Sequence, residues 1–95
     1  MNLSEQEFKA FEKAGWENRA STYTSRTAHI TGTLLPTILE HADIQATQDV
    51  LELASGPGYG TAAMARIGAR VTGTDFADAM VEEAKRRNPG LVFEA

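Results

Sequence analysis

Val50-Leu51-Glu52-Leu53-Ala54-Ser55-Gly56-Pro57-Gly58-Tyr59-Gly60 is the stretch on which the fold turns. It opens as a strand of the buried type, carries an acidic residue near its end, and runs through a Gly-rich turn into a helix. Glycine is needed where the backbone takes positive φ or comes close to a ligand. In a doubly wound sheet such a turn lies at the carboxyl end of a central strand, where ligands bind.

Downstream the pattern keeps alternating. Residues 49–54 read as a strand, 60–67 as a helix, 70–74 as a strand, 78–87 as a helix and 91–94 as the start of a third strand. Strands alternating with helices indicate βαβ units and a parallel sheet, hence the α/β class. Asp75 ends the second strand, 19 positions beyond Gly56. A carboxylate at that tip can accept two hydrogen bonds from ribose hydroxyls.

Upstream, Ser4 and Glu7 have capping-box spacing, Leu3 and Phe8 stand where a hydrophobic staple would, and Gly15 offers a left-handed stop. A helix is therefore expected over 5–14, with Trp16 folding back onto Phe11. Trp16, Ala20 and Tyr23 recur on one face of a second short helix. A third covers roughly 27–41, with Leu34, Leu35, Ile38, Leu39 and Ala42 as its apolar stripe. Pro36 either bends that helix or is an early residue of a shorter one. Residues 43–48 form a polar connector. The expected organisation is a helical cap over 1–42 followed by a ligand-binding half over 49–95.

Composition narrows the function classes. The net charge of -4, from 13 acidic and 9 basic side chains, offers no attraction to nucleic acid or anionic lipid. With no cysteine and only His29 and His41, neither a disulfide framework nor a Cys/His zinc site can be built, and no metal site is expected. The N-terminus lacks a secretory signal pattern, and the longest apolar run, residues 62–65, falls far short of the roughly 20 residues of a membrane span. A cytoplasmic setting fits.

The spacing also separates cofactors. A dinucleotide fingerprint wants Gly or Ala at position 61, and Thr61 stands there. Instead Glu52, Gly56 and Gly58 resemble the first motif of the class I, Rossmann-like S-adenosylmethionine-dependent methyltransferases. Residues 71–80 are similar to that family's second signature, with Asp75, Phe76 and Met80 in their usual places. Gly15-Trp16 with Ala20 and Tyr23 looks like the lead-in of the small-molecule branch related to ubiquinone-biosynthesis methyltransferases.

The resemblance implies a partial Rossmann-like parallel sheet of strand order 3-2-1, preceded by N-terminal helices, with S-adenosyl-L-methionine as cofactor and a small-molecule methyl acceptor as partner. It gives Asp75 the ribose, Phe76 and Met80 the adenine, and Gly56 and Gly58 the close approach of the methionine moiety. Glu52 would orient the amino end, directly or through water. Tyr23 either closes over the cofactor or is a half-buried packing residue. Ala54 stands where the family prefers Gly, and Ala77 where a capping Ser is common, leaving Asp78 to serve the helix start. The resemblance names no catalytic residue. It also implies that the family continues beyond Ala95, so that the chain by itself is expected to have an unpaired sheet edge, to self-associate or be marginally stable, and to transfer no methyl group.

Other markers take plainer readings. Ser55 fails the nucleophile-elbow pattern because Leu53 and Pro57 hold its outer positions. Lys85-Arg86-Arg87 suits a helix C-terminus, with Glu82/Arg86 and Glu83/Arg87 as i,i+4 pairs. His29 and His41 lie on helical faces without a nearby acid or nucleophile. Two rival functions are a nicotinamide-dependent oxidoreductase domain and a non-catalytic module that binds nucleoside or a partner.

Overall fold

The computed structural model describes residues 3–23 and 32–95. Helix α1 spans Glu5–Arg19 and α2 Leu35–Ala42. Then follow β1 (Asp49–Glu52), α3 (Tyr59–Ile67), β2 (Arg70–Thr74), α4 (Asp78–Arg87) and β3 (Val92–Glu94). The three strands are parallel, in the order β1-β2-β3. Their register pairs Glu52 with Gly73 and Gly73 with Phe93.

Both crossover helices pack on one face of this sheet. A Cβ on Gly73 would lie 2.7 Å from Thr61 Oγ1 of α3 and 2.8 Å from Phe93 Cδ1, so the missing side chain lets α3 settle on β2. Phe93 in turn packs with Val81 and Ala84 of α4. Leu51 and Val92 alternate to the opposite face and stay 64% and 51% exposed, because no described helix covers it.

The N-terminal region differs from the sequence expectation. Gly15 does not end the first helix; α1 continues to Arg19 and absorbs the expected second helix. Tertiary packing overrides the glycine's weak local preference. Trp16 is directed to Ala20, Ala77, Met80 and Tyr23 and not to Phe11, which is 67% exposed. The Ser4 cap is present: its Oγ accepts the Glu7 N–H at 3.1 Å. Leu3 and Phe8 are each about half exposed.

The expected helix over 27–41 begins outside the described residues, as does His29. Pro36 sits in the first turn of α2, where its missing N–H has no intrahelical partner to lose. His41 donates from Nδ1 to Thr37 O at 2.9 Å. β1 stops at Glu52 and not at residue 54, since Ala54 turns to φ 54°.

At the end of α4, Glu83 takes both Arg86 and Arg87 at 2.7 Å; the expected Glu82/Arg86 pairing is replaced by an i,i+3 bridge. Together the two guanidiniums hold the Glu83 carboxyl below its ordinary range, the hydrogen bond from Arg86 contributing most. The basic run is thus a helix end complemented by its own acid.

Candidate cofactor-binding site

The turn after β1 is built on hydrogen bonds from three directions. The β1–β2 ladder is extended past Glu52 by Ser55 N–H donating to Thr74 O at 2.8 Å, and Thr74 Oγ1 donates to Glu52 O at 2.9 Å. Gly58 N–H closes the turn onto Ser55 O at 3.1 Å. From α4, Asn88 Nδ2 donates to Pro57 O at 3.1 Å and to Ala84 O at 3.0 Å. Asn88 therefore clamps the Gly-rich turn to the end of a helix 31 residues away, a role that its position at a helix end did not signal.

Asp75 holds the other side. Its Oδ2 accepts the Gly56 N–H and its Oδ1 the Ala77 N–H, both at 3.0 Å. One carboxylate thus joins the turn to the start of α4. An ionised carboxylate has about four lone-pair sites, so acceptor capacity for two further donors remains. Sequence reasoning placed the residue at the strand tip but missed this backbone duty.

Six of the eight expected residues come together. Tyr23, Ala54, Gly56, Asp75, Phe76 and Met80 line one cleft of about 250 Å³, and Trp16 joins them. Trp16 was expected only to pack; its edge-to-face contact with Tyr23, ring centroids 5.9 Å apart, makes the two a continuous wall. Two further cavities meet this cleft at Ala54. One of about 340 Å³ runs past Phe76 to Ala95, and one of about 440 Å³ runs under α2. The three adjoin at the strand tips, and Asp75 lines two of them.

Glu52 and Gly58 stand apart from the cleft itself. Glu52 lines the 440 Å³ cavity, with its carboxylate beside the first turn of α3. A Cβ on Gly60 would come within 3.0 Å of Glu52 Oε1, so Gly60 is the glycine that admits this carboxylate. Burial raises the Glu52 carboxyl above its ordinary range, and the Thr61 hydroxyl partly opposes the shift. Thr61 Oγ1 lies near enough for that influence, yet no acceptor or donor meets hydrogen-bond geometry with it.

Gly58 takes φ 94°, and a Cβ there would lie 2.7 Å from Asn88 Nδ2 and 2.8 Å from Phe93 Cζ. Glycine is thus required at 58 by packing beneath the turn. Ala54, by contrast, adopts φ 54°, the left-handed region in which glycine is unstrained.

No group of three potential metal ligands occurs among the described residues, and none of their helices is long and apolar enough to cross a membrane.

The parallel βαβαβ sheet, with a strand-tip carboxylate gripping a Gly-rich turn, is Rossmann-like and is similar to the fold of solved S-adenosylmethionine-dependent methyltransferases. Residues 50–94 match the family model of the methyltransferase domain. The demethylmenaquinone methyltransferase of Beutenbergia cavernae is 48% identical over 46 residues, which are 48% of this chain and 19% of that protein.

Among solved structures, the DhpI–SAH complex superposes with a TM-score of 0.69 at 32% identity, over 86% of this chain and 41% of that one. The DhpI–SAM–HEP complex gives 0.75 at 29% identity, over 98% and 44%. Phosphoethanolamine N-methyltransferase 1 of Haemonchus contortus shares the fold, with a TM-score of 0.78 at 18% identity over 97% of this chain and 22% of that one. The chain spans less than half the length of each of these relatives.

Proposed function

We propose that this chain supplies the S-adenosylmethionine-binding half of a methyltransferase whose acceptor is a small molecule. The observation that carries the reading is the convergence of Tyr23, Ala54, Gly56, Asp75, Phe76 and Met80 on one cleft. A cleft with one carboxylate between an aromatic wall and open backbone suits a nucleoside joined to an amino-acid tail.

In this reading the spare lone pairs of Asp75 accept the ribose hydroxyls, while Phe76 and Met80 flank the adenine. Ala54 and Gly56 present backbone to the methionine portion, and Glu52, in the adjoining cavity, orients its amino end. Gly58 serves by holding the turn in shape. When bound, the cofactor supplies an activated methyl group that is displaced directly onto the acceptor. The protein's part is to align the two reactants and exclude water, for which Trp16 and Tyr23 form a roof. The 440 Å³ cavity lined by Leu35, Ile38, Leu39, Val50 and Glu52 is of small-molecule size and opens from the same turn. That the relatives include a demethylmenaquinone methyltransferase supports a small-molecule acceptor.

Calorimetry with S-adenosylhomocysteine tests this. Binding is expected, and Asp75→Ala should weaken it by about 1.5–3 kcal/mol through lost charge-assisted hydrogen bonds. Because Asp75 also grips Gly56 and Ala77, the same variant should lower the melting temperature. Equal affinity in a variant that still melts cooperatively would remove Asp75 from the ribose. Binding of NADH in place of S-adenosylhomocysteine would favour the oxidoreductase alternative.

A further inference from the structure

The start of α4 lacks a cap of its own. Ala77 occupies the cap position with no side chain to offer, although the first amides of a helix need outside partners. Two carboxylates from other elements fill the place. Asp75 Oδ1 takes the Ala77 N–H, and Glu17 Oε2 of α1 takes the Ala79 N–H at 2.9 Å, across 62 residues of sequence. A negative charge at a helix N-terminus is favoured by the helix dipole, and the bond is charge-assisted.

Among the described residues little else secures α1. No residue within its span is buried, and Phe8 and Phe11 are exposed. Among the described residues its apolar contact with α4 is the cluster of Trp16, Ala20 and the following Tyr23 around Ala77, Ala79 and Met80. An ion pair, Lys13 to Asp78 at 3.6 Å, has side chains 47% and 67% exposed and contributes little. Yet this weakly held segment provides Trp16 and Tyr23, the roof of the cleft.

We infer that Glu17 is a positioning residue for the cleft: by capping α4 it fixes α1 so that Trp16 and Tyr23 close over Asp75, Phe76 and Met80. The inference rests on the cofactor reading above. Glu17 and Asp75 hold amides two residues apart at one helix end, so the lid and the ligand-binding carboxylate share a single anchor. Glu17 Oε1 is buried with no hydrogen-bond partner among the described residues, which opposes docking. The closed arrangement is therefore finely balanced, and a ligand touching Trp16 and Tyr23 from below tips it further toward closure.

Trp16 is the only tryptophan, so its emission reports on α1 alone. The test uses the full chain, Glu17→Ala and Glu17→Gln, with S-adenosylhomocysteine as probe, acrylamide quenching of Trp16 and a circular-dichroism melt. Glu17→Ala should raise Kd about tenfold and make Trp16 markedly more quenchable even without ligand. Glu17→Gln keeps an acceptor oxygen and should stay within about threefold of the unmodified Kd.

If Glu17→Ala loses its cooperative melt, Glu17→Asp replaces it: one methylene shorter, it keeps the charge but withdraws the acceptor, and the same changes are expected. Unchanged Kd or unchanged ligand-free quenching in Glu17→Ala, or in Glu17→Asp where that replaces it, overturns the proposal. Failure of the unmodified chain to bind S-adenosylhomocysteine ends the cofactor reading instead. The ligand-free quenching comparison then still decides whether Glu17 docks α1.

Discussion

Replacing Gly56 and Gly58 separately by alanine separates two reasons for glycine within one turn. Both have positive φ, 54° and 94°. Left-handed backbone costs a non-glycine residue about 1–2 kcal/mol, offset by about 0.4–1 kcal/mol because alanine has less freedom to lose on folding. At Gly56 nothing lies within 4 Å of the new Cβ, so Gly56→Ala should lose only about 1 kcal/mol of stability.

At Gly58 the Cβ would sit 2.7 Å from Asn88 Nδ2 and 2.8 Å from Phe93 Cζ. Overpacking of that kind adds about 1–3 kcal/mol. Asn88 cannot retreat freely, since the same nitrogen bonds both Pro57 O and Ala84 O. The total expected for Gly58→Ala is thus about 2–4 kcal/mol. Urea unfolding followed by circular dichroism measures both losses. Equal losses, or a greater one at Gly56, would refute the packing argument. Loss of S-adenosylhomocysteine binding by Gly58→Ala with unchanged unfolding would return Gly58 to the cofactor's path.

Two other outcomes follow from the same geometry. Burial raises the Glu52 carboxyl, so the folded state holds that proton more tightly than the unfolded one. This site then loses stability as pH rises from the ordinary carboxyl range through the raised folded value. Glu52→Gln should abolish that loss, giving a higher urea midpoint than the unmodified chain at pH 7 while binding S-adenosylhomocysteine less tightly; a midpoint difference independent of pH would contradict it. At the free edge of the sheet, β1 pairs only with β2, and Leu51 and Leu53 are 64% and 75% exposed. We expect the chain to self-associate there, and Leu51→Lys to shift sedimentation toward monomer; a monomeric unmodified chain at high concentration would exclude this.

The order of elements from Asp49 onward was legible in the sequence because it rests on local chemistry. Period-2 apolar runs, Gly-rich turns and the spacing from Gly56 to Asp75 are properties of neighbouring residues, and β2 and α4 fall within the limits they implied. Thr61 was legible as a departure from the dinucleotide pattern, but not as the residue that rests on Gly73. Of the six residues lining the cleft, Gly56 and Asp75 followed from the turn, the strand tip and their spacing, whereas Tyr23, Ala54, Phe76 and Met80 were named only through the family resemblance.

What the tertiary structure decided concerns partners distant along the chain. Glu17 on the Ala79 amide, Asn88 on Pro57 O and the direction of a Cβ at Gly58 join residues between 31 and 62 positions apart, or depend on such a joining. No local period encodes these contacts. The same reason explains why α1 runs through Gly15: the helix end was set by docking Trp16 and Ala20 on α4, an energy larger than the glycine's weak preference to stop.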